Sequence, residues 1–329
     1  MEFALSEEQS ELAATVRALL ARRADSSAVR AAMLSERGHD PDLWMTLCEQ
    51  IGVAALAVPE EYDGAGATYF ETAIVLEELG RSLAPSPLLA GTIATHALLA
   101  GGGDEAKQRL LPRIGTGEVA TIALGDGPVL DADHADVLLA VVGDDLVEVD
   151  PASADATWAE SMDQTIRLAR VDLDGAATTV IGDGAAARER AELVGSASVA
   201  ALAVGLCDRA LRMTVDYSKE RVQFGRPIGS FQALKHRMAD MLVRLELARS
   251  ASWAASYALA TDAEDVVGLT HAAASYCLET AAHLAGECVQ LHGGIAITWE
   301  HDAHLVLKRA HALGQLFGAP HQHRGAVAL

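Results

Sequence analysis

A break between two long helical patterns reads Arg221-Val222-Gln223-Phe224-Gly225-Arg226-Pro227-Ile228-Gly229-Ser230-Phe231-Gln232. Gly225 and Pro227 predict that the first helix ends there, and that a new helix begins near Ser230. An arginine and an aromatic residue therefore close one helix, and Gln232 occupies the first turn of the next. An arginine beside the free N–H groups of a helix start suits a phosphate or pyrophosphate. An ordinary helix–helix corner with a surface arginine is the alternative.

A second unusual stretch reads Gln290-Leu291-His292-Gly293-Gly294-Ile295-Ala296-Ile297-Thr298-Trp299-Glu300-His301-Asp302. Its paired glycines allow the backbone to approach another group closely, and polar Gln290 and His292 flank them. Thr298 is predicted to cap the helix that carries His301, His304 and Arg309. A simple Gly-Gly helix break is the alternative interpretation.

Three regions of different pattern surround these stretches and predict an α+β, mostly α fold. Residues 1–117 are helical in pattern, with capping boxes at Ser6–Gln9 and Thr68–Glu71, and Gly80 and Pro85 are predicted to close the second of these helices. Residues 118–184 predict a small, truncated β domain with a hairpin about Gly143 and a further half-buried strand between Ile166 and Leu173. Residues 185–329 predict a four-helix-bundle domain. Its long apolar patterns run from Leu193 to Lys219, Phe231 to Tyr257 and Val266 to Leu291.

Charge and composition exclude several classes of protein. There are 25 Lys and Arg against 46 Asp and Glu, a formal net charge of −21, and no basic cluster. Nucleic-acid binding and adhesion to anionic lipid are therefore not expected. No apolar run reaches the roughly 18–20 residues that span a bilayer, and the N-terminus lacks the pattern of a signal peptide. We expect a cytoplasmic protein.

Cysteine and histidine residues do not indicate a metal site. The four cysteines have neither CxxC nor zinc-finger spacing, which predicts buried, reduced thiols. The twelve histidines show no constellation with metal-ligand spacing. His321 and His323 lie in a Pro-His-Gln-His-Arg tail that is expected to be mobile.

Taken together, the two stretches resemble the acyl-CoA dehydrogenase family of flavoproteins. The first matches the family's R-x-x-F-G-x-x-I-x-x-F-Q segment and the second its Q-x-x-G-G motif. Further similar segments occur in the same order in the N-terminal half. They are Phe3-x-Leu5-x-x-Glu8-Gln9, Pro59-Glu60-Glu61-Tyr62-x-Gly64, Glu77-Glu78-Leu79-Gly80-Arg81 and Leu111-Pro112-x-Ile114-x-x-Gly117-Glu118.

The resemblance implies an FAD cofactor that lies between subunits. In the family, the residues of these two motifs reach across the interface and hold the ADP half of the neighbour's FAD. The residues of this chain that match those positions are Arg221, Phe224, Gln232, Gln290, Gly293 and Gly294.

The chain departs from the family pattern where the flavin ring would be held. Ala123-Leu124-Gly125-Asp126-Gly127-Pro128 stands in place of the family's T-E-P-x-x-G-S-D segment, and no W-x-T segment follows. Trp158 lies in a different context. We therefore expect that this chain does not hold its own isoalloxazine ring.

The chain also departs from the family at the catalytic base. The reaction is α,β-dehydrogenation of an acyl-CoA thioester, in which a glutamate removes the α proton while FAD accepts the β hydride. The two family positions for that glutamate correspond to Gly318 and Gly195, and neither can take a proton. Glu192, one helical turn from Gly195, is the near candidate, although pairing with Arg188 explains it equally well.

These features predict the short subunit of a heteromeric acyl-CoA dehydrogenase, similar to actinobacterial enzymes that oxidise CoA thioesters of steroid side chains. A longer paralogue would supply the base in an α2β2 assembly, with electron-transfer flavoprotein as acceptor. One alternative is a self-sufficient enzyme with a displaced base at Glu192. The other is a scaffold subunit without flavin.

Overall fold

The computed structural model describes residues 4–327. The outer limits of the predicted first and third domains, and Phe3 of the N-terminal motif, lie outside the described residues. The chain forms two compact units. One comprises the chain up to Val75 together with 84–195, and the other comprises 76–83 together with the chain from Ser196 onward. The division into three domains, with limits after 117 and 184, remains a prediction.

Six α-helices precede the β region within residues 4–327, and the predicted Ser6–Gln9 capping box is confirmed, while the one at Thr68–Glu71 is confirmed in part. Ser6 Oγ accepts a hydrogen bond from the Gln9 amide at 3.1 Å, and Gln9 Oε1 accepts one from the Ser6 amide at 3.0 Å. Thr68 Oγ1 accepts from the Phe70 amide at 3.2 Å, while Glu71 accepts from the Thr68 amide at 2.9 Å. The helices are α1 (Glu7–Arg23), α2 (Ser26–Met33), α3 (Pro41–Thr46), α4 (Tyr69–Ser82), α5 (Leu88–Gly101) and α6 (Asp104–Gly115).

α4 ends at Ser82, between Gly80 and Pro85, the two residues predicted to close this segment. Gly80 lies in the last turn of the helix, where it is a point of close packing. A Cβ at Gly80 would lie 2.1 Å from the Leu202 carbonyl oxygen, so only glycine fits there.

The β region contains seven short strands in two sheets. The four-stranded sheet has the order β1-β3-β4-β7 and includes the predicted β3–β4 hairpin, while the three-stranded sheet has the order β2-β6-β5. Sequence patterning predicted only the hairpin and one further strand, because several strands have two to four residues. The strands are β1 (Ala120–Ala123), β2 (Val129–Leu130), β3 (Val137–Val142), β4 (Asp145–Val149), β5 (Asp155–Trp158), β6 (Leu168–Asp172) and β7 (Thr178–Asp183).

The three long C-terminal helices are confirmed, and two shorter helices follow them. The expected mobile tail is wrong: Pro320–Ala326 is a helix that packs on α9, and its His323 is buried and 2.9 Å from His271 (Nδ1 to Nδ1). A hairpin of two-residue strands precedes α8. The elements are α7 (Gly184–Glu220), β8 (Val222–Gln223), β9 (Arg226–Pro227), α8 (Gln232–Ala260), α9 (Val266–His292), α10 (Ala303–Leu313) and α11 (Pro320–Ala326).

α7 is the one helix of the described residues that is long and apolar enough to cross a membrane. However, 89% of its most apolar window is buried inside the protein, as in the core helix of a globular fold. The four cysteines are free thiols that are buried in the core, as predicted from their spacing. Burial raises the pKa of the Cys48 thiol to about 12, which keeps it protonated at neutral pH.

A buried network of charges fixes the end of α4 to α7 and α8. Arg81 pairs with Glu77 at 3.2 Å, with Glu78 at 3.1 Å and, in close contact, with Asp208 of α7. Arg249 of α8 donates to Glu77 at 3.3 Å. Because these carboxylates are less than a tenth exposed, each depends on its arginine partners for solvation.

Asp131, between β2 and β3, is a buried carboxyl whose pKa is raised to about 8. Burial is the main cause, the charge of Asp133 adds to it, and Arg167 opposes it. The folded protein therefore keeps a proton that the unfolded chain releases above its ordinary pKa of 3.8. Stability is lost as the pH rises from about 4 to about 8.

Asp131→Asn removes this pH-dependent loss. Since the neutral amide still has to be buried, we expect a gain of about 2 kcal/mol in the free energy of unfolding at pH 7, and none near pH 4. The left-handed backbone at Asp131 also suits asparagine. Denaturant titrations at both pH values measure the effect, with exposed Asp144→Asn as the control. An equal gain at pH 4 would contradict the titration of Asp131.

Candidate functional site

The first sequence stretch forms a tight hairpin between two long helices. α7 ends at Glu220, earlier than the predicted end at Gly225, and β8 and β9 pair across a two-residue turn. Both turn residues have positive φ, 53° at Phe224 and 76° at Gly225, which is the backbone of a type I′ turn. The turn lifts the Phe224 side chain into solvent, where it is 92% exposed.

Polar side chains of this hairpin are available to a ligand. Arg221 is exposed, and its guanidinium has no hydrogen-bond or ion-pair partner among residues 4–327. Arg226, in contrast, stacks over the Phe231 ring at 4.1 Å. Gln232 is exposed in the first turn of α8, its amide lies 2.9 Å from His236 Nε2, and no side chain caps the helix start.

The second stretch leaves α9 through a backbone that glycine alone adopts readily. Gly293 has φ 66° and ψ −145°, and it turns the chain into a short 3-10 segment. Gln290, Gly293 and Gly294 are all exposed. A Cβ at either glycine would meet nothing within 4 Å in this chain, so the open space beside them is available to another molecule.

An ion pair connects the helices that carry the two glutamines. Arg237 of α8 donates to Glu287 of α9 through two bonds of 2.5 and 2.9 Å. These bonds lower the pKa of Glu287, which stays charged. Arg237 is five residues after Gln232, and Glu287 is three residues before Gln290. The amides therefore belong to helices that are directly joined.

The helix start after the second stretch differs from the prediction. Thr298 does not cap α10, since its hydroxyl donates to the Ile295 carbonyl at 2.8 Å. Asp302 occupies the cap position, but its carboxylate pairs with Arg209 of α7 at 2.8 Å. The Asp302 side chain therefore forms a tertiary ion pair instead of a hydrogen bond to the first turn of α10.

The loop at Ala123–Pro128 offers little to a flavin ring. The chain here presents no hydroxyl in place of the family's threonine and serine, and residues 125–128 are exposed. The Leu124 carbonyl accepts a close hydrogen bond from Arg188. The loop therefore presents few side-chain donors, whereas Arg221, Gln232 and Gln290 are polar and exposed.

Gly195 and Gly318 stand at the two positions that the resemblance assigns to the catalytic base. Gly195 is buried within α7. Gly318 has φ 110°, and a Cβ there would lie 3.2 Å from His323 Nε2, so a glutamate would be strained and crowded. Glu192 is exposed and 3.9 Å from Arg188, as its pairing predicted. Among residues 4–327, no group of His, Cys, Asp or Glu is arranged to hold a metal.

Several residues of this region were missed by sequence reasoning. The Arg237–Glu287 and Arg209–Asp302 pairs join residues 50 and 93 positions apart, and Tyr217 contacts His292 and His301 through their rings. No local pattern marks such pairs, because the partners meet only after the helices pack.

Comparison with known proteins defines the class. Family models match 6–118 as "Acyl-CoA dehydrogenase, N-terminal domain" and 182–328 as "Acyl-CoA dehydrogenase, C-terminal domain". The chain belongs to the acyl-CoA dehydrogenase family, whose members are FAD-dependent oxidoreductases. The expected fold, family and cofactor class are thereby confirmed.

Several individual members of the family are similar to this chain over most of its length. The chain is 45% identical over 318 residues to acyl-CoA dehydrogenase IpdE2 of Mycolicibacterium smegmatis, covering 97% of both chains. It is 34% identical to acyl-CoA dehydrogenase FadE34 of Mycobacterium tuberculosis, covering 95% of this chain but 46% of FadE34. Among solved structures, the Tcur3481-Tcur3483 steroid ACAD superposes with a TM-score of 0.88 at 27% identity, covering 98% of this chain and 96% of that chain.

Proposed function

We propose that this chain is the short subunit of a heteromeric FAD-dependent acyl-CoA dehydrogenase. It completes the flavin site across the interface, and a longer paralogue supplies the catalytic base. One observation carries the proposal: exposed groups suited to the ADP half of FAD coexist with glycine at both base positions.

The exposed groups have chemistry that suits the ADP half of FAD. The unpartnered Arg221 guanidinium would bind the pyrophosphate, and the amides of Gln232 and Gln290 would bind ribose or phosphate oxygens. Open backbone at Gly293 and Gly294 would allow the cofactor to approach closely. FAD, when bound, supplies the acceptor for the β hydride of the acyl-CoA. In this chain the residues bind and orient; they do not take the α proton.

Relatives support pairing with a second chain. This chain matches 46% of FadE34, so that protein has length for a second module of similar size. The Tcur3481-Tcur3483 steroid ACAD joins two proteins in its name. By analogy, the partner here is a longer acyl-CoA dehydrogenase paralogue in an α2β2 assembly, acting in the cytoplasm on a CoA thioester of a steroid side chain. Electron-transfer flavoprotein would accept the electrons.

Exposed apolar side chains beside the two motifs support a partner surface. Phe224 is 92%, Ile297 77% and Trp299 62% exposed in the second unit. Large apolar side chains of this kind are commonly covered by another subunit. We assign this surface to the longer paralogue.

Glu192→Gln separates the proposal from a self-sufficient enzyme. We expect turnover of the assembly to stay within about twofold of wild type, because Glu192 is an exposed carboxylate paired with Arg188 and does not lie in a dry site. Steady-state assays with an artificial electron acceptor measure kcat. A loss of several orders of magnitude would assign the base to Glu192 and contradict the proposal.

Turnover of the chain alone tests the function directly. The purified chain with excess FAD should not oxidise any acyl-CoA, while addition of the longer paralogue should restore activity. A steroid-side-chain CoA should be a better substrate for the assembly than butanoyl- or octanoyl-CoA. Turnover by the chain alone would refute the shared site, and preference for the straight chains would refute the steroid assignment.

A further inference from the structure

Three aromatic rings meet where α9 leads into the Gly293-Gly294 segment. The rings of Tyr217 and His292 stack with centroids 4.5 Å apart and planes inclined by 27°. His301 lies 4.5 Å from His292 and 6.4 Å from Tyr217. We call Tyr217, His292 and His301 the ring cluster. It connects the end of α7, the end of α9 and the start of α10.

The ring cluster fixes both ends of the loop between α9 and α10. The chain leaves the cluster at His292 and returns to it at His301. The next residue, Asp302, is bonded to Arg209 of α7 at 2.8 Å. Within 293–300, Ala296 is the one residue that is fully buried, so the loop has little apolar burial of its own. Its order therefore depends on its two ends.

The same ring cluster supports the first motif. The Arg221 amide donates to the Tyr217 carbonyl at 2.9 Å. Arg221 therefore lies one helical turn after Tyr217, whose ring is part of the cluster at the ends of the α9–α10 loop. Tyr217 thus contacts one residue of each stretch, Arg221 and His292, although these lie about seventy residues apart in the chain.

His292 is held as a neutral imidazole in this cluster. It is 4% exposed, and its Nδ1 lies 2.7 Å from the Cys288 carbonyl, to which it donates a hydrogen bond. Burial is the main cause that lowers its pKa, and His301 adds to this, while the carbonyls of Cys288 and Met213 oppose it. A neutral ring stacks on Tyr217 without the cost of burying a charge.

We infer that Tyr217, His292 and His301 are positioning residues that hold Arg221 and the Gln290–Gly294 segment in one arrangement for a flavin phosphate. This inference rests on the proposed function, since the ligand is the one proposed above. Its structural part, that the ring cluster orders the loop, does not require any ligand.

Two substitutions at Tyr217 form a matched pair. Tyr217→Phe keeps the ring and should behave as wild type, whereas Tyr217→Leu removes the stacking. In the chain alone, without flavin, hydrogen–deuterium exchange of the 293–301 amides should become about tenfold faster in Tyr217→Leu and stay unchanged in Tyr217→Phe. In the assembly with the longer paralogue, the Kd for FAD should rise about tenfold in Tyr217→Leu alone.

The two readouts separate the possible failures. Unchanged exchange in Tyr217→Leu would overturn the inference itself. Faster exchange with an unchanged Kd for FAD would leave the loop anchored as described but refute its role in the proposed flavin site. If Tyr217→Leu does not fold, His301→Ala outside α7 provides the same two readouts, with His301→Phe as the variant that retains a ring.

Discussion

Arg221→Ala should weaken FAD binding by the assembly about 100-fold. The substitution removes a charge-assisted bond between a guanidinium and a phosphate, and no neighbouring side chain of the hairpin can replace it, since Arg226 is stacked on Phe231. Arg221→Lys should give a smaller loss, because lysine keeps the charge but not the two-pronged geometry. Fluorescence titration of the flavin-free assembly with FAD measures both Kd values.

A nearby control tests whether the loss is specific. Lys219 is two residues earlier and its side chain is about two-thirds exposed, so Lys219→Ala removes the same charge without touching the proposed site. It should leave the Kd for FAD unchanged. If Arg221→Ala also leaves flavin content untouched, the chain acts as a scaffold that does not contribute to the flavin site.

Arg81→Met should cost about 3–5 kcal/mol of stability, because it leaves buried carboxylates without their main counter-ion. Glu77, Glu78 and Asp208 each lose an ion pair, and all three are less than a tenth exposed. Denaturant unfolding followed by circular dichroism measures the change.

The matched control is an exposed ion pair whose N–O distance is similar to those of Arg81. Lys219→Met breaks the 3.1 Å pair with Asp216, in which both side chains are about two-thirds exposed, and should cost less than about 1 kcal/mol. A loss for Arg81→Met no larger than for Lys219→Met would show that the network is well hydrated and does not hold α4 in place.

The sequence identified the motif residues, but it did not show which contacts some of them make in the folded protein. Glu77, Glu78 and Arg81 belong to a family segment, yet their partners Asp208 and Arg249 are more than 120 positions away. Such a network arises only when α4 packs against α7 and α8. The helix periods, the capping boxes and the β3–β4 hairpin, in contrast, depend on neighbouring residues and were predictable.

The errors have one local cause and two tertiary causes. Glycine and proline marked a break after α7, but they did not distinguish a helix end at Gly225 from a hairpin whose turn residues have positive φ. Thr298 suits a cap, but the loop ends four residues later because Asp302 is bonded to Arg209. Buried His323 shows that a short polar segment is ordered when a neighbouring helix offers a partner.

The structure around Gly318 suits glycine and not a larger residue. At Gly318 the backbone has φ 110°, and His323 occupies the space beside it. The local structure has thus adapted to glycine, whereas Arg221 and Gln290 remain exposed and unpaired within residues 4–327. Under the proposed function, exposed binding groups without a base are what a subunit needs in order to complete a neighbour's site.

The flavin content of purified samples tests the shared site most directly. The chain is purified alone and together with its longer paralogue, and each sample is characterised by its visible spectrum and by its mass from light scattering. The account predicts a colourless chain on its own, and a yellow mixed assembly containing both chains and FAD. Stoichiometric FAD bound to this chain alone would contradict it, because the loop at Ala123–Pro128 would then have to hold the flavin ring.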